Sequence, residues 1–221
     1  MDGRFADRRE AGRFLAREVM HLKGRDAVVL ALPRGGVPVA YEVALALDAP
    51  LAVFVVRKLG VPGHRELAMG ALASGGVRVL NEELVRHLAL PAAAIEQVTT
   101  EEARELERRE RLYGADAPVP PLEGRTVVLV DDGLATGASM RAAVLAVRRR
   151  NPERLIVAVP VGARETCADL RAEADEVVCA RMPEPFDAVG LWYRRFDQTT
   201  DEEVRELLTA ASRRQLAPTR H

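Results

Sequence analysis

The stretch Val127-Val-Leu-Val-Asp-Asp-Gly-Leu-Ala-Thr-Gly-Ala-Ser139 joins a short apolar run to two adjacent acids and a loop of small residues. Val127 to Val130 are β-branched residues or leucine, too few for a buried helix and followed at once by turn residues, which predicts a central parallel strand. Asp131 and Asp132 then lie at the carboxyl end of that strand. Ala135 to Ser139 have minimal side chains, so their backbone N–H groups can close around a phosphate. The pattern predicts a cradle for a sugar phosphate.

A helix is expected after the small-residue loop. Met140, Ala143, Val144 and Val147 recur at helical spacing, and Ser139 is placed to cap the N-terminus of that helix. A Walker A loop needs a lysine just before its Ser/Thr, and this loop has none. Two carboxylates ahead of a phosphate loop suit instead a sugar 5-phosphate whose ring hydroxyls donate hydrogen bonds to the acids. An ordinary strand, turn and helix with solvated aspartates is the alternative interpretation.

The Val127–Ser139 segment resembles the 5-phosphoribosyl-1-diphosphate (PRPP) binding motif of the type I phosphoribosyltransferases. That motif has four apolar residues, two acids, two mostly apolar residues and a small Thr/Gly loop. Gly133 differs from it, because the family usually has an apolar residue there, and the strand end is therefore expected to be looser. The resemblance implies that Asp131 and Asp132 are catalytic acids that hold the ribose hydroxyls. It also implies that the PRPP 5-phosphate is bound by Ala135, Thr136, Gly137, Ala138 and Ser139.

Two other segments are expected to bind the diphosphate of PRPP. Arg34-Gly35-Gly36 follows the first predicted core strand and opens a helix, where backbone N–H groups can face an anion. It resembles the pyrophosphate loop of the same family. Arg57-Lys58 ends the second predicted core strand, and a site where several anionic groups meet needs cations nearby. A plain glycine turn and a solvated basic pair are the alternatives.

Composition limits the other classes of function. Nearly half of the 221 residues are apolar, which suits one compact α/β domain over residues 1–221. The net charge of −1 gives no overall field for nucleic acid or an acidic membrane, although Arg148-Arg149-Arg150 could start a local basic patch. Cys167 and Cys179 lack CxxC spacing and are interpreted as reduced thiols of a cytoplasmic protein. The charged start and the absence of a long apolar run predict neither a signal peptide nor a membrane span.

Strands and helices alternate along the chain, which predicts a doubly wound, mainly parallel α/β sheet with flanking helices. A first amphipathic helix is expected before Gly24. Later helices are predicted at residues 37–47, 140–150, 165–174 and 201–211. Strands are predicted at residues 27–32, 51–56, 126–130, 155–159 and 176–180. Ligands of such sheets bind at the carboxyl ends of the strands, near the point where strand order switches.

Residues 60–123 break this alternation and are predicted to be an insertion that includes a lid. Gly75-Gly76 between two apolar runs indicates a two-residue hairpin turn, and Asn81 can cap a short helix. A long, charge-rich helix is expected over residues 92–113. The family has its catalytic lid near residues 60–70, so His64 or Glu66 could move a proton or hold the diphosphate. A solvated loop without a direct role is the alternative.

Residues 181–200 are similar in rhythm to the base-binding hood of purine phosphoribosyltransferases. The resemblance implies that Phe186 or Trp192 stacks on the base, while packing in the core is the alternative for both aromatic residues. Enzymes of the hypoxanthine and guanine type place a lysine after the next core strand, whereas this chain has Val159-Pro160-Val161-Gly162. This difference argues against a 6-oxopurine acceptor and leaves the acceptor open, with a purine-like base favoured.

The resemblance implies a magnesium-dependent phosphoribosyltransferase of nucleotide metabolism, in which a nitrogenous acceptor attacks C1 of PRPP and diphosphate leaves. Mg²⁺ is expected to be carried by PRPP. The expected partners are PRPP and a small-molecule acceptor, with no membrane or nucleic-acid partner, and a homodimer is compatible with the sequence. Two alternatives stay open: a non-catalytic PRPP sensor that regulates nucleic acid or a partner, and a metal-dependent phosphohydrolase on the same sheet.

Overall fold

The computed structural model describes residues 3–114 and 118–216. The strands in these ranges are β1 (Ala27–Ala31), β2 (Leu51–Val53), β3 (Val56–Val61), β4 (His64–Ala73), β5 (Val77–Leu80), β6 (Thr126–Val130), β7 (Arg154–Val159) and β8 (Glu176–Cys179). The α-helices are α1 (Arg8–Glu18), α2 (Gly36–Leu47), α3 (Glu82–His87), α4 (Ala92–Gly114), α5 (Ala138–Arg148), α6 (Arg164–Leu170) and α7 (Asp201–Leu216). Short 3₁₀ helices span Met20–Leu22 and Val189–Trp192. No α-helix in the described ranges is both long enough and apolar enough to cross a membrane.

A five-stranded parallel sheet forms the centre of the fold, with strand order β2-β1-β6-β7-β8. The strand β1 pairs with β2 on one side and with β6 on the other, in the register Ala27 opposite Thr126. Strand order therefore reverses between β1 and β6. Because ligands of open α/β sheets bind beyond the carboxyl ends of the strands at such a switch point, the loops that follow β1 and β6 are the ones placed to form a site.

Both faces of this sheet are covered, which explains the uninterrupted apolar run of β6. Val128 and Val130 belong to a core shared with α1, α2 and α7. Val127 and Leu129 face the opposite way, into a core shared with α5 and α6. A strand buried on both faces has no polar side to alternate with, so the doubly wound arrangement predicted from sequence is confirmed.

A second, antiparallel sheet of β3, β4 and β5 corrects part of the sequence prediction. The predicted strand 51–56 is two elements, because β2 ends at Val53 and β3 begins at Val56 in the other sheet. Arg57 and Lys58 therefore lie inside β3 and do not end a core strand. The sequence gives no sign of this change, since apolar residues run continuously through the break.

The insertion is a regular structure built on this second sheet. Residues 60–70, expected to be a mobile lid, form a hairpin in which β3 and β4 join through a turn at Pro62-Gly63. The predicted Gly75-Gly76 turn is confirmed, with positive φ at both glycines. Asn81 caps α3 by accepting a hydrogen bond from Leu84 N at 3.0 Å, as predicted. The long helix α4 packs on this sheet.

Three helix boundaries differ from the prediction. The helix α5 starts at Ala138 with Gly137 as its N-cap, so Ser139 lies in the first turn and does not cap it. The helix α6 ends at Leu170, several residues early. The helix α7 continues to Leu216, and the Thr200 hydroxyl caps its start by accepting a 3.1 Å hydrogen bond from Glu203 N.

Candidate active site

Two loops meet at the switch point between β1 and β6. A methyl group on Gly36 would lie 2.8 Å from Val130 O and 2.9 Å from the Cα of Asp131. A methyl group on Gly35 would lie 2.1 Å from Asp132 Oδ2. A side chain at Gly36 would meet backbone atoms, whereas one at Gly35 would displace the Asp132 carboxylate, so the two loops approach each other closely at both glycines. The predicted diphosphate loop and the predicted acid pair form a single crevice.

The acid pair has more negative charge than its surroundings balance. Asp131 is only partly exposed, and burial together with the neighbouring charge of Asp132 raises its pKa well above the usual range. The backbone N–H of Asp132 donates to Asp131 Oδ1 at 2.8 Å, which favours the ionised form. Burial also raises the pKa of Asp132, and the Arg8 guanidinium limits that rise. Such a pair is suited to a ligand that brings hydrogen-bond donors or positive charge.

Two residues that contact Asp132 were missed in the sequence. Arg8 at the start of α1 donates from Nε to Asp132 Oδ2 at 2.8 Å. The Tyr193 hydroxyl donates to the backbone carbonyl of Asp132 at 2.5 Å. Burial and the charge of Asp132 raise the pKa of Tyr193, so its hydroxyl stays a donor at neutral pH. Arg8 is 124 positions away from Asp132 in the chain and Tyr193 is 61, and no local pattern links them.

The predicted phosphate loop is anchored by hydrogen bonds to the loop after β7 and to α6. Leu134 N donates to Val161 O at 2.9 Å, and Ala163 N donates to Leu134 O at 2.9 Å. The Thr166 hydroxyl of α6 donates to Ala135 O at 2.7 Å, a contact that the sequence did not suggest. Ala135, Thr136 and Ser139 are exposed. The loop is thus held in place while one of its sides stays open to a ligand.

The loop also contains the N-terminus of an eleven-residue helix. The backbone N–H groups of Ala138, Ser139 and Met140 fall in the first turn of α5, where an α-helix offers them no acceptor. An anion at this position would gain these donors and the positive end of the helix dipole. The structure thus brings the predicted 5-phosphate residues together at one helix end.

The predicted hood segment, residues 181–200, packs directly on the loop that follows β6. A methyl group on Gly133 would lie 2.4 Å from Val189 Cγ1, so the Val189 side chain fills the space that an apolar residue would occupy. The expectation of a looser strand end is wrong for this reason. Phe186 and Trp192 are half-buried and pack against a small core that includes Phe5 and Tyr193. This arrangement favours the packing interpretation for both aromatic side chains.

The predicted diphosphate residues are divided between two places. Arg34 lies in the crevice loop with its guanidinium 3.6 Å from Asp201 of α7. Arg57 lies on β3 of the antiparallel sheet, where its guanidinium forms a 2.7 Å ion pair with the Glu102 carboxylate of α4. Lys58 follows Arg57 on β3 and is exposed. Arg34 is therefore part of the crevice. Arg57 and Lys58 belong instead to a separate arm, which is formed by β3, β4, β5, α3 and α4.

The two lid candidates lie in the same arm. His64 is exposed at the start of β4, next to the turn, where it pairs with Val61. The backbone of Glu66 is part of β4, and its side chain is outside what the structure describes. The crevice is formed by loops that follow strands of the parallel sheet, and neither His64 nor Glu66 lies in such a loop. A role for them in the crevice stays a prediction.

The buried acid pair should make the stability of the ligand-free protein depend on pH. The folded state raises the pKa of Asp131, so it favours the protonated form more than the unfolded chain does. Folding stability from this group is present at low pH and is lost as pH rises through the raised pKa. Asp131→Asn should therefore increase the free energy of unfolding at about pH 8, with a smaller gain at about pH 5. Urea unfolding at both pH values measures this, with exposed Asp187→Asn as control. An equal gain at both values would contradict the account.

Comparison with known proteins agrees with this geometry. Residues 6–191 match the model of the phosphoribosyl transferase domain, and the chain belongs to this family. Its parallel sheet with flanking helices is the type I phosphoribosyltransferase fold. The chain is 49% identical over 209 residues to a protein of Mycobacterium tuberculosis, strains H37Rv and CDC 1551, that has a provisional name as a phosphoribosyl transferase. The match covers 95% of this chain and 47% of that protein, so the chain spans about half the length of these relatives.

Two solved structures extend the comparison. Protein TT1426 from Thermus thermophilus is 44% identical, with a TM-score of 0.86 over 94% of this chain and 98% of that one. Protein AQ2163 from Aquifex aeolicus has a TM-score of 0.50 at 13% identity, over 83% of this chain and 78% of that one. The second likeness shows the fold alone.

Proposed function

We propose that the chain transfers the 5-phosphoribosyl group of PRPP to a nitrogenous acceptor and releases diphosphate. The observation that supports this most is the placement of the Asp131-Asp132 pair between a glycine loop after β1 and a helix N-terminus after β6. A ribose with a phosphate at each end has the matching sequence of groups: an anion, two ring hydroxyls and a second anion. Membership of the family supports the same interpretation.

In this proposal the protein acts mainly by positioning and by charge. The N–H groups at the start of α5 hold the 5-phosphate, and the loop at Gly35-Gly36 with Arg34 holds the diphosphate. Asp131 and Asp132 accept hydrogen bonds from the ribose hydroxyls. As the bond from C1 to the diphosphate breaks, positive charge develops on the sugar ring, and the two carboxylates oppose it. The acceptor then bonds to C1, and no covalent enzyme intermediate is needed.

Magnesium fits the donor chemistry of the crevice. Mg²⁺ in proteins keeps several waters and is held by few carboxylates together with substrate phosphates. Within residues 3–114 and 118–216, no three side chains of His, Cys, Asp or Glu converge to hold a metal ion. In the proposal the ion is carried by PRPP, and Asp131 and Asp132 are the acids of the crevice that would balance its charge. When bound, it would neutralise the diphosphate as a leaving group.

The structure offers little support for the sensor alternative. Arg148 donates to Asp175 Oδ2 at 2.9 Å and to Glu173 O at 3.1 Å. Arg150 donates to Ser74 O and lies over the Phe54 ring. These contacts use two of the three arginines that could have started a basic patch. We therefore favour catalysis over binding of nucleic acid.

We further propose a cytoplasmic location and small-molecule partners only. The support for this location is the sequence, in which two cysteines without CxxC spacing are too few for a disulfide framework. The acceptor is a nitrogenous heterocycle, of which a purine-like base is the first to test. Small-angle X-ray scattering of the protein in solution tests the homodimer.

The contact between Gly133 and Val189 should set how closely the hood approaches the acceptor. Gly133→Ala should raise the acceptor KM severalfold and leave PRPP affinity nearly unchanged, because the new methyl group would push Val189 away. Val189→Ala removes the two side-chain carbons that would lie closest to this methyl group, at 2.4 and 2.8 Å, and leaves only the milder 3.2 Å approach to Val161 O. The double variant should therefore have the acceptor KM of Val189→Ala alone, as measured by steady-state kinetics. A rise in the KM for PRPP in Gly133→Ala would contradict this prediction, because it would show that Gly133 affects the acid pair and not the acceptor.

An acceptor screen tests the proposed function. The protein is incubated with PRPP, Mg²⁺ and a panel of purine and pyrimidine bases, and both diphosphate and nucleotide are measured. We expect diphosphate and one nucleotide to form in equal amounts, and neither to form without a base. Binding of PRPP without turnover for any base would favour the sensor. Release of inorganic phosphate would favour the phosphohydrolase.

A further inference from the structure

Arg8 is fixed by three contacts that meet beside Asp132. Its Nε donates to Asp132 Oδ2 at 2.8 Å, and its Nη1 donates to Asp197 O at 2.6 Å. Its guanidinium carbon lies 4.0 Å from the centroid of the Phe196 ring. Only 12% of the side chain is exposed. The Arg8 guanidinium is planar, and two of its nitrogens and one of its faces are in contact with neighbours. It therefore has little freedom to rotate.

Arg8 supplies the positive charge that the other described groups around the Asp132 carboxylate lack. The Asp131 carboxylate is next to it and repels it. The Tyr193 hydroxyl bonds to the Asp132 backbone carbonyl, and Gly35 approaches without a side chain. Among the described residues that touch the carboxylate, Arg8 is the one that brings positive charge. It therefore determines both the direction of Oδ2 and the balance of charge at the acid pair.

The start of α1 is attached to the hood and not only to the core. Phe5 N donates to Trp192 O, and Arg194 N donates to Phe5 O, both at 2.8 Å. Arg195 N donates to Ala6 O at 3.0 Å, and its side chain forms an ion pair with Asp7 at 2.5 Å. Phe5 itself is buried against Tyr193. The residues just before Arg8 are therefore tied by hydrogen bonds and an ion pair to residues 192–195.

We propose that Arg8 is a positioning residue for PRPP. It orients the Asp132 carboxylate towards the ribose hydroxyls and supplies the cation that lets a buried acid pair accept a phosphorylated sugar. The hydrogen bonds between residues 5–6 and the hood fix where Arg8 stands. The proposal rests on the proposed function, because it takes PRPP as the ligand of the crevice.

Calorimetry of PRPP with Mg²⁺ tests this on the full chain with four variants. Arg8→Gln removes the charge, and Arg8→Met also removes it while keeping an unbranched stem over Phe196. Arg8→Lys restores the charge. Arg9→Gln is the matched control, since Arg9 follows Arg8 on α1 but pairs with Glu42 at 2.6 Å and lies over Tyr41. Thermal unfolding of each variant identifies those that keep the fold.

We expect the folded neutral variants to bind PRPP at least about tenfold more weakly, on the scale of one lost charge-assisted hydrogen bond. Arg8→Lys should regain part of this affinity, which a purely structural role for Arg8 would not predict, and Arg9→Gln should bind like the wild type. If the wild type binds PRPP and a folded neutral variant binds it equally well, the role of Arg8 is refuted and the proposed function stands. If the wild type does not bind PRPP, the proposed function fails first.

Discussion

Replacing either acid of the pair with asparagine should weaken PRPP binding by about 2–4 kcal/mol, the scale of lost hydrogen bonds to a charged group. Asparagine keeps the shape of the side chain but removes the charge that the ribose hydroxyls and a bound cation would meet. Calorimetry of Asp131→Asn and Asp132→Asn with PRPP and Mg²⁺ measures the effect. Asp187→Asn, at an exposed acid of the hood segment, is the control.

The same variants separate function from folding. Asp131→Asn should bind PRPP poorly and yet be more stable than the wild type at about pH 8, because it removes a buried charge with a raised pKa. If Asp131→Asn lost affinity only because it unfolds, its free energy of unfolding would instead be lower than that of the wild type. Unchanged affinity in both variants would show that the crevice is not the PRPP site.

Gly35→Ala and Gly36→Ala should have different effects although they are neighbours. The methyl group of Gly35→Ala meets Oδ2 of Asp132, the far end of a flexible side chain, so the fold can adjust by turning this carboxylate away from Arg8. Activity should fall at least about a hundredfold, close to 3 kcal/mol in kcat/KM, with little loss of stability. The methyl group of Gly36→Ala meets backbone atoms of Val130 and Asp131, which cannot turn aside.

Gly36→Ala should therefore lose about 1–3 kcal/mol of folding stability together with activity, as expected for overpacking. Each variant is the control for the other, since both add one methyl group to the same loop. Steady-state kinetics and urea unfolding measure the two effects. Equal losses of stability in both variants, or full activity in Gly35→Ala, would contradict the arrangement described for the crevice.

The parts of the fold that could be predicted from sequence are those with a local physical cause. Residues 126–130 could be assigned as a strand because burial on both faces requires an unbroken apolar run. The acid pair and the small-residue loop could be placed because chain order puts them directly after that strand. The glycine pair after β1 could be joined to the same site, since the carboxyl ends of parallel strands share one edge.

Other parts of the site depend on contacts between distant positions. Arg8 looks like any charged residue at the start of a surface helix, and Tyr193 looks like one of several aromatic residues in the hood. The change of sheet between β2 and β3 also leaves no local mark, because Phe54 and Val55 continue the apolar run and are buried. The hairpin at residues 60–70 also leaves no clear local pattern, because Gly63 with its positive φ serves a tight turn between two strands, and the lid stays a prediction.

Crystals of the protein grown or soaked with PRPP and Mg²⁺ would test the account most directly. We predict that the ribose hydroxyls lie within hydrogen-bonding distance of Asp131 and Asp132. The 5-phosphate should lie at the N-terminus of α5, against residues 135–139, and the diphosphate at the loop of Arg34, Gly35 and Gly36. PRPP bound elsewhere, for example beside Arg57 and Lys58, with the crevice empty, would contradict the central claim.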